Sequence, residues 1–189
     1  MIKKLSESVK QPLSYSRITK ILSSVGGKIT IPTTSSYIEY CEDAWLLLRL
    51  HNISAEFAER ETISKYYFID NGLLSLLLVD PSTTLLENIV ALSLFRKYGN
   101  DKDNEHIFFY YQNVEVDFYV PDDELAIQVS YSIDSSNTTE TREVKALQKL
   151  PKVLSCKRRI IITYDEEKNI EDEYGVIEVI PCWKWLIQQ

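Results

Sequence analysis

The spacing of apolar and polar positions changes character at residue 80. Before that point, segments 14–24 and 33–43 have apolar residues at the spacing of amphipathic helices. Ser14 is predicted to cap the first helix, and Thr33 or Thr34 the second. Segments 45–50 and 66–69 are rich in β-forming residues and are separated by a polar loop, which predicts a hairpin. Helices followed by a hairpin are the order of elements in a winged helix. A short apolar helix over 73–79 is predicted to follow the hairpin. The first 80 residues are therefore predicted to form a winged-helix-like domain.

After residue 80 the pattern is typical of a mixed α/β sandwich. It predicts a long helix, three strands, a second helix, two strands and a short C-terminal helix. The predicted bounds are 83–99 for the first helix, 107–111, 114–120 and 125–132 for the three strands, 137–150 for the second helix, 159–164 and 176–180 for the last strands, and the segment from Pro181 for the last helix. The fold class predicted for the whole chain is α/β (α+β), with residues 81–189 as a second domain.

The amino-acid composition argues against several classes of function. With 44% apolar and 26% charged residues, the 189-residue chain can bury a core, and its net charge of −7 argues against a general polyanion binder. No apolar run approaches the roughly 20 residues of a membrane span. Three widely spaced cysteines favour neither a zinc site nor a disulfide framework, and the chain has no P-loop motif. We expect a cytoplasmic protein that contacts no membrane and holds no cofactor by itself.

Strand alternation predicts where several polar side chains point. In strand 114–120, Val116 and Phe118 are predicted to share one face, and Asp117 the other. In the next strand Gln128 and Ser130 share a face. Adjacent strands therefore are expected to place Asp117 beside Gln128 and Ser130.

An acid on the first helix of the second domain adds to this group. Glu87 lies on the apolar stripe that should face the sheet, where an unpaired acid is costly. We predict that Glu87, Asp117 and Gln128 converge. The two acids could supply oxygen ligands to Mg²⁺, or they could be satisfied by basic and backbone partners. Glu143 is predicted to point inward from its helix as a further catalytic acid, unless it only favours the positive end of that helix.

The first 31 residues contain six basic residues and one glutamate. The basic residues chosen as candidates for phosphate contacts are Lys3, Lys4, Arg17 and Lys20. Helix 33–43, in the position of a recognition helix, carries three acids and no lysine or arginine. Any DNA binding is therefore expected to be weak, non-specific and sensitive to salt.

Four segments carry a resemblance to a known family: Ser35–Trp45, Lys65–Leu73, Glu87–Val90 and Glu115–Phe118. Their order resembles the C-terminal region of a bacterial and archaeal family of AAA-type ATPases. The order of an acid on a helix, Glu87, followed by an aspartate on a strand, Asp117, also resembles the order of site residues in the PD-(D/E)xK nucleases, which are restriction-endonuclease-like proteins. The resemblance implies a winged helix, a nuclease-like mixed sheet flanked by helices, and a partner ATPase domain N-terminal to Met1 that would bind ATP.

The chain departs from this family at the last motif. Family members often carry Glu-Val-Lys where this chain has Gln128, Val129 and Ser130. An amide is a poorer metal ligand than a carboxylate, and serine lacks the positive charge of the motif lysine. Our leading hypothesis is a non-catalytic accessory module of an ATPase that binds nucleic acid or a protein. The alternatives are a Mg²⁺-dependent nuclease using Glu87, Asp117 and Glu143, and a pure protein-interaction domain.

Overall fold

A nine-stranded mixed sheet flanked by helices organises the chain in a computed structural model, which confirms the predicted mixed α/β class. The structure describes residues 1–55, 63–99, 105–133 and 138–188. The strand order is β1-β3-β2-β4-β5-β6-β7-β9-β8. In the described part of the chain, no helix combines the length and the apolar character needed to cross a bilayer.

The helices are α1 (Ile2–Ser6), α2 (Tyr15–Gly26), α3 (Ile31–Asp43), α4 (Asn71–Leu77), α5 (Ser82–Tyr98), α6 (Thr138–Lys149) and α7 (Cys182–Ile187), with a 3₁₀ turn at Leu150–Lys152. The strands are β1 (Leu13–Ser14), β2 (Leu47–Asn52), β3 (Ile63–Phe68), β4 (Phe108–Tyr111), β5 (Glu115–Val120), β6 (Leu125–Val129), β7 (Arg158–Thr163), β8 (Lys168–Asp172) and β9 (Gly175–Pro181). The apolar and polar pattern of the sequence did not predict α1, β1 or β8.

Short polar side chains set the starts of the N-terminal helices. Ser14 Oγ accepts a hydrogen bond from the backbone N–H of Arg17 at 3.2 Å, so the predicted cap of α2 is confirmed. Gly27, with φ of 90°, ends that helix in a conformation that side chains disfavour. The predicted cap of α3, at Thr33 or Thr34, was wrong, because Thr30 caps the helix and its hydroxyl accepts from the Thr33 N–H at 3.3 Å.

The predicted hairpin is present, and it belongs to the main sheet. Strands β2 and β3 pair antiparallel, and β2 also pairs in parallel with β4. The Asn52 side chain reinforces this junction: its amide donates to the carbonyl of Tyr111 at 2.9 Å and its oxygen accepts from the Tyr111 N–H at 3.0 Å. The winged-helix assignment and the domain boundary at residue 80 remain predictions.

A β-bulge in β5 changes the side-chain pattern on which the site prediction depended. Between two successive pairs with β4, the β5 strand has one more residue than its partner. Val116 and Tyr119 consequently pack in the core cluster beneath α6, whereas Phe118 packs in the larger cluster that contains Val90 of α5. The prediction that Val116 and Phe118 share a face was therefore wrong. Asp117 lies within this bulge.

Candidate functional site

A fully buried lysine lies at the centre of a group of carboxylates. Lys65 Nζ, on β3, lies 2.9 Å from Glu115 Oε1, 3.0 Å from Asp117 Oδ1 and 3.8 Å from Glu87 Oε1. Burial alone would lower the pKa of Lys65, but the charges of Asp117, Glu87 and Glu115 outweigh burial and raise it. The ammonium group is therefore charged, and it is compensated by acids from α5 and β5. We call these four residues the Lys65 cluster.

Glu87 is the most deeply buried acid of this cluster. Its side chain is 4% exposed, and Tyr67 donates its hydroxyl hydrogen bond to Glu87 Oε1 at 2.9 Å. Burial, together with the charge of Asp117, raises the pKa of Glu87 to about 8, although Lys65 acts in the opposite direction. Burial thus favours the protonated form of this carboxyl group, whereas the neighbouring Lys65 favours the ionised form.

Gln128 holds the bulged segment of β5 through its side-chain amide. Gln128 Oε1 accepts from the backbone N–H of Asp117 at 2.9 Å, and Nε2 donates to the carbonyl of Glu115 at 2.8 Å. Asp117 Oδ2 in turn accepts from the backbone N–H of Val129 at 3.0 Å. A glutamate carboxylate could accept the first of these bonds but could not donate the second. The amide therefore suits this position as a backbone clamp.

The structure thus brings Glu87, Asp117 and Gln128 together, as the sequence predicted. Ser130 is turned to another partner, since its hydroxyl donates to the carbonyl of Ser132 at 2.9 Å. The ammonium group beside the acids comes instead from Lys65, which was not predicted as a site residue. One signal was available, because Lys65 is the only charged residue in the otherwise apolar and hydroxylic segment 63–69.

Glu143 points inward from α6, in agreement with its predicted direction. Its side chain is 5% exposed and forms an ion pair with Arg142, with Nη2 2.5 Å from Oε1. Burial, then the charge of Asp117, raises the pKa of Glu143, and Arg142 opposes that rise. Glu143 therefore lies close enough to Asp117 to feel its charge, while its own counter-ion is Arg142.

The oxygen atoms of the acids have protein partners in place of a metal. Lys65 Nζ, the Tyr67 hydroxyl and the Val129 N–H occupy the positions around them. Across the ranges that the structure describes, no three Asp, Glu, His or Cys side chains are grouped to hold a metal ion. In this arrangement Glu87 and Asp117 do not fit a Mg²⁺ site, and no catalytic step through a metal follows from it.

The candidate phosphate-binding residues lie elsewhere, on α1 and α2. Lys3, Arg17 and Lys20 are exposed. Lys4 Nζ forms a surface ion pair with Glu7 at 2.7 Å. These residues present positive charge to solvent, but their contact with nucleic acid remains a prediction.

Two family models match the chain: "Domain of unknown function (DUF8612)" over residues 1–84 and "Domain of unknown function (DUF4143)" over residues 82–185. Lys65 thus comes from the first segment, and its acid partners come from the second.

Two curated relatives are similar over almost the whole chain. The uncharacterized protein MJ1544 of Methanocaldococcus jannaschii is 33% identical over 182 residues, covering 92% of this chain and 40% of the relative. An uncharacterized protein of Haemophilus influenzae is 29% identical over 193 residues, covering 97% of this chain and 44% of the relative. The chain therefore spans less than half the length of these relatives. No solved structure matches it. Because the DUF4143 model covers more than half of its residues, the chain belongs to the DUF4143 family of domains of unknown function.

Proposed function

We propose that this chain is a non-catalytic accessory module of an AAA-type ATPase, in which the acids of a nuclease-like sheet form a structural ion-pair cluster. The observation that carries the proposal is the position of Lys65 Nζ among Glu87, Glu115 and Asp117. DUF4143 segments typically occur in proteins associated with AAA-type ATPases. The curated relatives are also long enough to contain a further domain.

Burial of the cluster supports a structural role. The side chain of Lys65 is 0% exposed, that of Glu87 4% and that of Asp117 13%. Lys65 and Glu87 therefore offer almost no surface to a phosphodiester, and only Glu115, 41% exposed, brings the cluster to solvent. A buried ion pair also needs good geometry and further hydrogen bonds to offset the cost of desolvation. The Tyr67 hydroxyl and the Val129 N–H provide those bonds to the carboxylates here, and Gln128 holds the backbone of β5 that carries two of the acids.

The cluster joins the two family segments into one unit. Lys65 on β3 reaches acids on α5 and β5. A second polar link lies beside it: Asn88 of α5 accepts from the Phe68 N–H and donates to the Phe68 carbonyl, both at 2.8 Å. A module whose two family segments are joined by these polar links keeps its outer surfaces in a fixed orientation. Such an orientation is expected of a module that positions a partner. That partner is nucleic acid, contacted weakly by the basic residues of α1 and α2, or a protein.

A second function, a Mg²⁺-dependent nuclease, is favoured by one observation. Lys65 supplies an ammonium group 3.0 Å from Asp117, which compensates for the lysine missing at Ser130. Such an enzyme would require the acids to exchange Lys65 for a metal ion, and Glu143 would be an additional acid near Asp117.

A cleavage assay separates the two functions. The purified chain is incubated with single-stranded and double-stranded DNA and with Mg²⁺ or Mn²⁺, beside an Asp117→Ala variant. The proposal expects no cleavage above the level of the variant. Cleavage by the wild type that is lost in the variant would establish the nuclease instead. The ATPase context is tested by reading the frame upstream of Met1, where a P-loop motif is expected; a frame that encodes no ATPase would remove that part of the proposal.

A further inference from the structure

The two edge strands of the sheet, β1 and β8, differ in length. β1 has two residues, whereas β8 has five and pairs with β9 in an unbroken antiparallel register. A very short edge strand, a proline or a bulge protects a sheet from pairing with another chain. β1 has the first of these protections. β8 contains neither a proline nor a bulge, so its backbone has the geometry to accept a further strand.

The outward backbone groups of β8 belong to Asn169 and Glu171. A two-residue loop joins Asp172 to Gly175, and the residues that flank such a loop exchange their hydrogen bonds within the hairpin. Bonded and non-bonded pairs alternate along antiparallel strands, so the N–H and C=O groups of Asn169 and Glu171 point away from β9. Within the ranges that the structure describes, neither residue has a hydrogen-bonding partner on that side.

We propose that β8 pairs antiparallel with β8 of a second copy, about a two-fold axis at Ile170. In this register Asn169 of each copy faces Glu171 of the other, so their outward groups form two hydrogen-bonded pairs. Both side chains are exposed on the same face of the sheet, and the Asn169 amide donates to the facing Glu171 carboxylate. On the opposite face Lys168 meets Asp172, a pair of opposite charges.

Charge argues against the neighbouring two-fold registers. An axis at Glu171 places this residue opposite its own copy. An axis at Asn169 places Glu171 opposite Glu167. Both registers put two carboxylates directly opposite each other, which destabilises a pair of strands. The axis at Ile170 avoids these contacts along the whole of β8.

The charged residues at the two ends of β8 have partners within their own copy. Lys168 Nζ donates to the carbonyl of Ile133 at 3.0 Å, and Asp172 Oδ2 accepts from Arg159 at 2.6 Å. These side chains are therefore held on the face that carries α6, and they leave the backbone edge of the strand accessible to a partner strand.

Two acids face each other just beyond the paired strands. They are Glu167 of one copy and Glu173 of the other. Each already has its own cation, because Lys184 pairs with Glu167 and Lys152 Nζ lies 3.9 Å from Glu173. The repulsion between these acids is thus reduced at both ends of the pairing.

The side chains of β8 favour a second copy over a strand of another protein. Backbone groups alone accept any extended chain. The side chains require an acceptor opposite Asn169 and a donor opposite Glu171, in antiparallel order. A second β8 carries both by symmetry. This inference goes beyond the accessory role proposed above and does not depend on it.

Cysteine cross-linking tests the register. Facing residues of a non-hydrogen-bonded pair have Cα atoms about 4.5 Å apart, within the range of about 4.4–6.8 Å that a disulfide spans. Ile170→Cys should therefore give a covalent dimer on mild oxidation. Asn169→Cys and Glu171→Cys should each remain monomeric under denaturing conditions when oxidised alone, and should cross-link when mixed. The wild type, with its three free cysteines, gives the background.

A proline substitution tests the backbone pairing. Glu171→Pro removes the outward N–H, whereas Glu171→Ala removes the same side chain and keeps that N–H. We expect sedimentation analysis to show dimers for the wild type and for Glu171→Ala. Dimerisation of Glu171→Pro should be weaker by roughly tenfold or more, because symmetry removes two hydrogen bonds. Circular dichroism verifies that both variants are folded.

Three results would overturn the proposal. The first is a wild type that sediments as a monomer. The second is equal dimerisation of the folded proline and alanine variants. The third is cross-linking of Asn169→Cys alone in place of Ile170→Cys, which would place the axis elsewhere.

Discussion

Replacing Lys65 with methionine removes the positive centre of the Lys65 cluster while keeping an unbranched apolar side chain in its place. The structure predicts a large loss of stability. Asp117, 13% exposed, loses Lys65 as its partner on Oδ1 and retains the Val129 N–H on Oδ2. Glu87, 4% exposed, keeps the Tyr67 hydroxyl but loses the cation that favours its ionised form. Glu115, 41% exposed, can return to water.

The magnitude follows from the burial of these partners. Breaking a buried ion pair by removing one member costs about 3–5 kcal/mol, because the remaining charge stays buried and uncompensated. The exposed pair with Glu115 adds little, since surface pairs contribute roughly 0–1 kcal/mol. We therefore expect Lys65→Met to lower the free energy of unfolding by about 3–5 kcal/mol, a large part of the roughly 5–15 kcal/mol typical of a whole protein.

Urea denaturation followed by circular dichroism measures this change. The matched control is Lys145→Met, which removes an exposed lysine of α6 and should change the free energy of unfolding by less than about 0.5 kcal/mol. Adding Asp117→Asn to Lys65→Met should recover part of the loss, because Asp117 is then the acid that remains without its cation. A Lys65→Met variant as stable as the Lys145→Met control would refute the structural role of the cluster.

Three other predictions concern the same residues and the basic surface. The pKa of Glu87 is raised to about 8 from 4.5, so its contribution to stability is full below about pH 4.5 and is lost as pH rises through 8. Glu87→Gln should therefore make the free energy of unfolding less dependent on pH between 5 and 9; an unchanged slope in urea titrations would contradict this. Gln128→Glu should destabilise the fold by about 1–3 kcal/mol, because the carboxylate cannot donate to the Glu115 carbonyl and adds charge beside Asp117; thermal melts at pH 7 beside Gln112→Glu, an exposed control, would detect it. DNA binding measured by anisotropy at two salt concentrations should be weak, with Kd of about 10⁻⁴ to 10⁻⁶ M at physiological salt, and should be lost when four basic residues become alanine. These residues are Lys3, Lys4, Arg17 and Lys20. Tight binding that survives the four changes would show that another surface contacts DNA.

Periodic patterns predicted most of the elements, because burial of one face imposes a repeat that the sequence records. The inward direction of Glu143 was predictable in this way, whereas the α2 cap at Ser14 was predictable from the side chains that helix caps prefer. Strand β8 was missed because it alternates exposed and half-buried residues at the end of the sheet and contains a single apolar residue, Ile170. Local spacing alone gives little indication of such a strand.

The candidate site was predictable only in part. The helix stripe and the strand position brought Glu87 and Asp117 together correctly. The bulge at Asp117 was not predictable, since an extra residue in one strand is defined by its partner strand and leaves no local periodic signal. Lys65 was missed because a lysine in a strand usually faces solvent, and only the fold shows which acids surround it. Gln128 was interpreted as a lost ligand, although its amide forms two backbone hydrogen bonds.

The parallel pairing of β2 with β4 has a consequence for how this polypeptide can be divided. A cut near residue 80 would separate these neighbours and leave one edge of each strand without its hydrogen-bonding partner. Unpaired strand edges recruit other chains and promote aggregation. Recombinant fragments that follow the two family boundaries should therefore be poorly soluble when produced separately. Co-expression of the two fragments offers each strand edge its natural partner. If soluble material is recovered only on co-expression, the missing pairing between β2 and β4 is the cause of the insolubility.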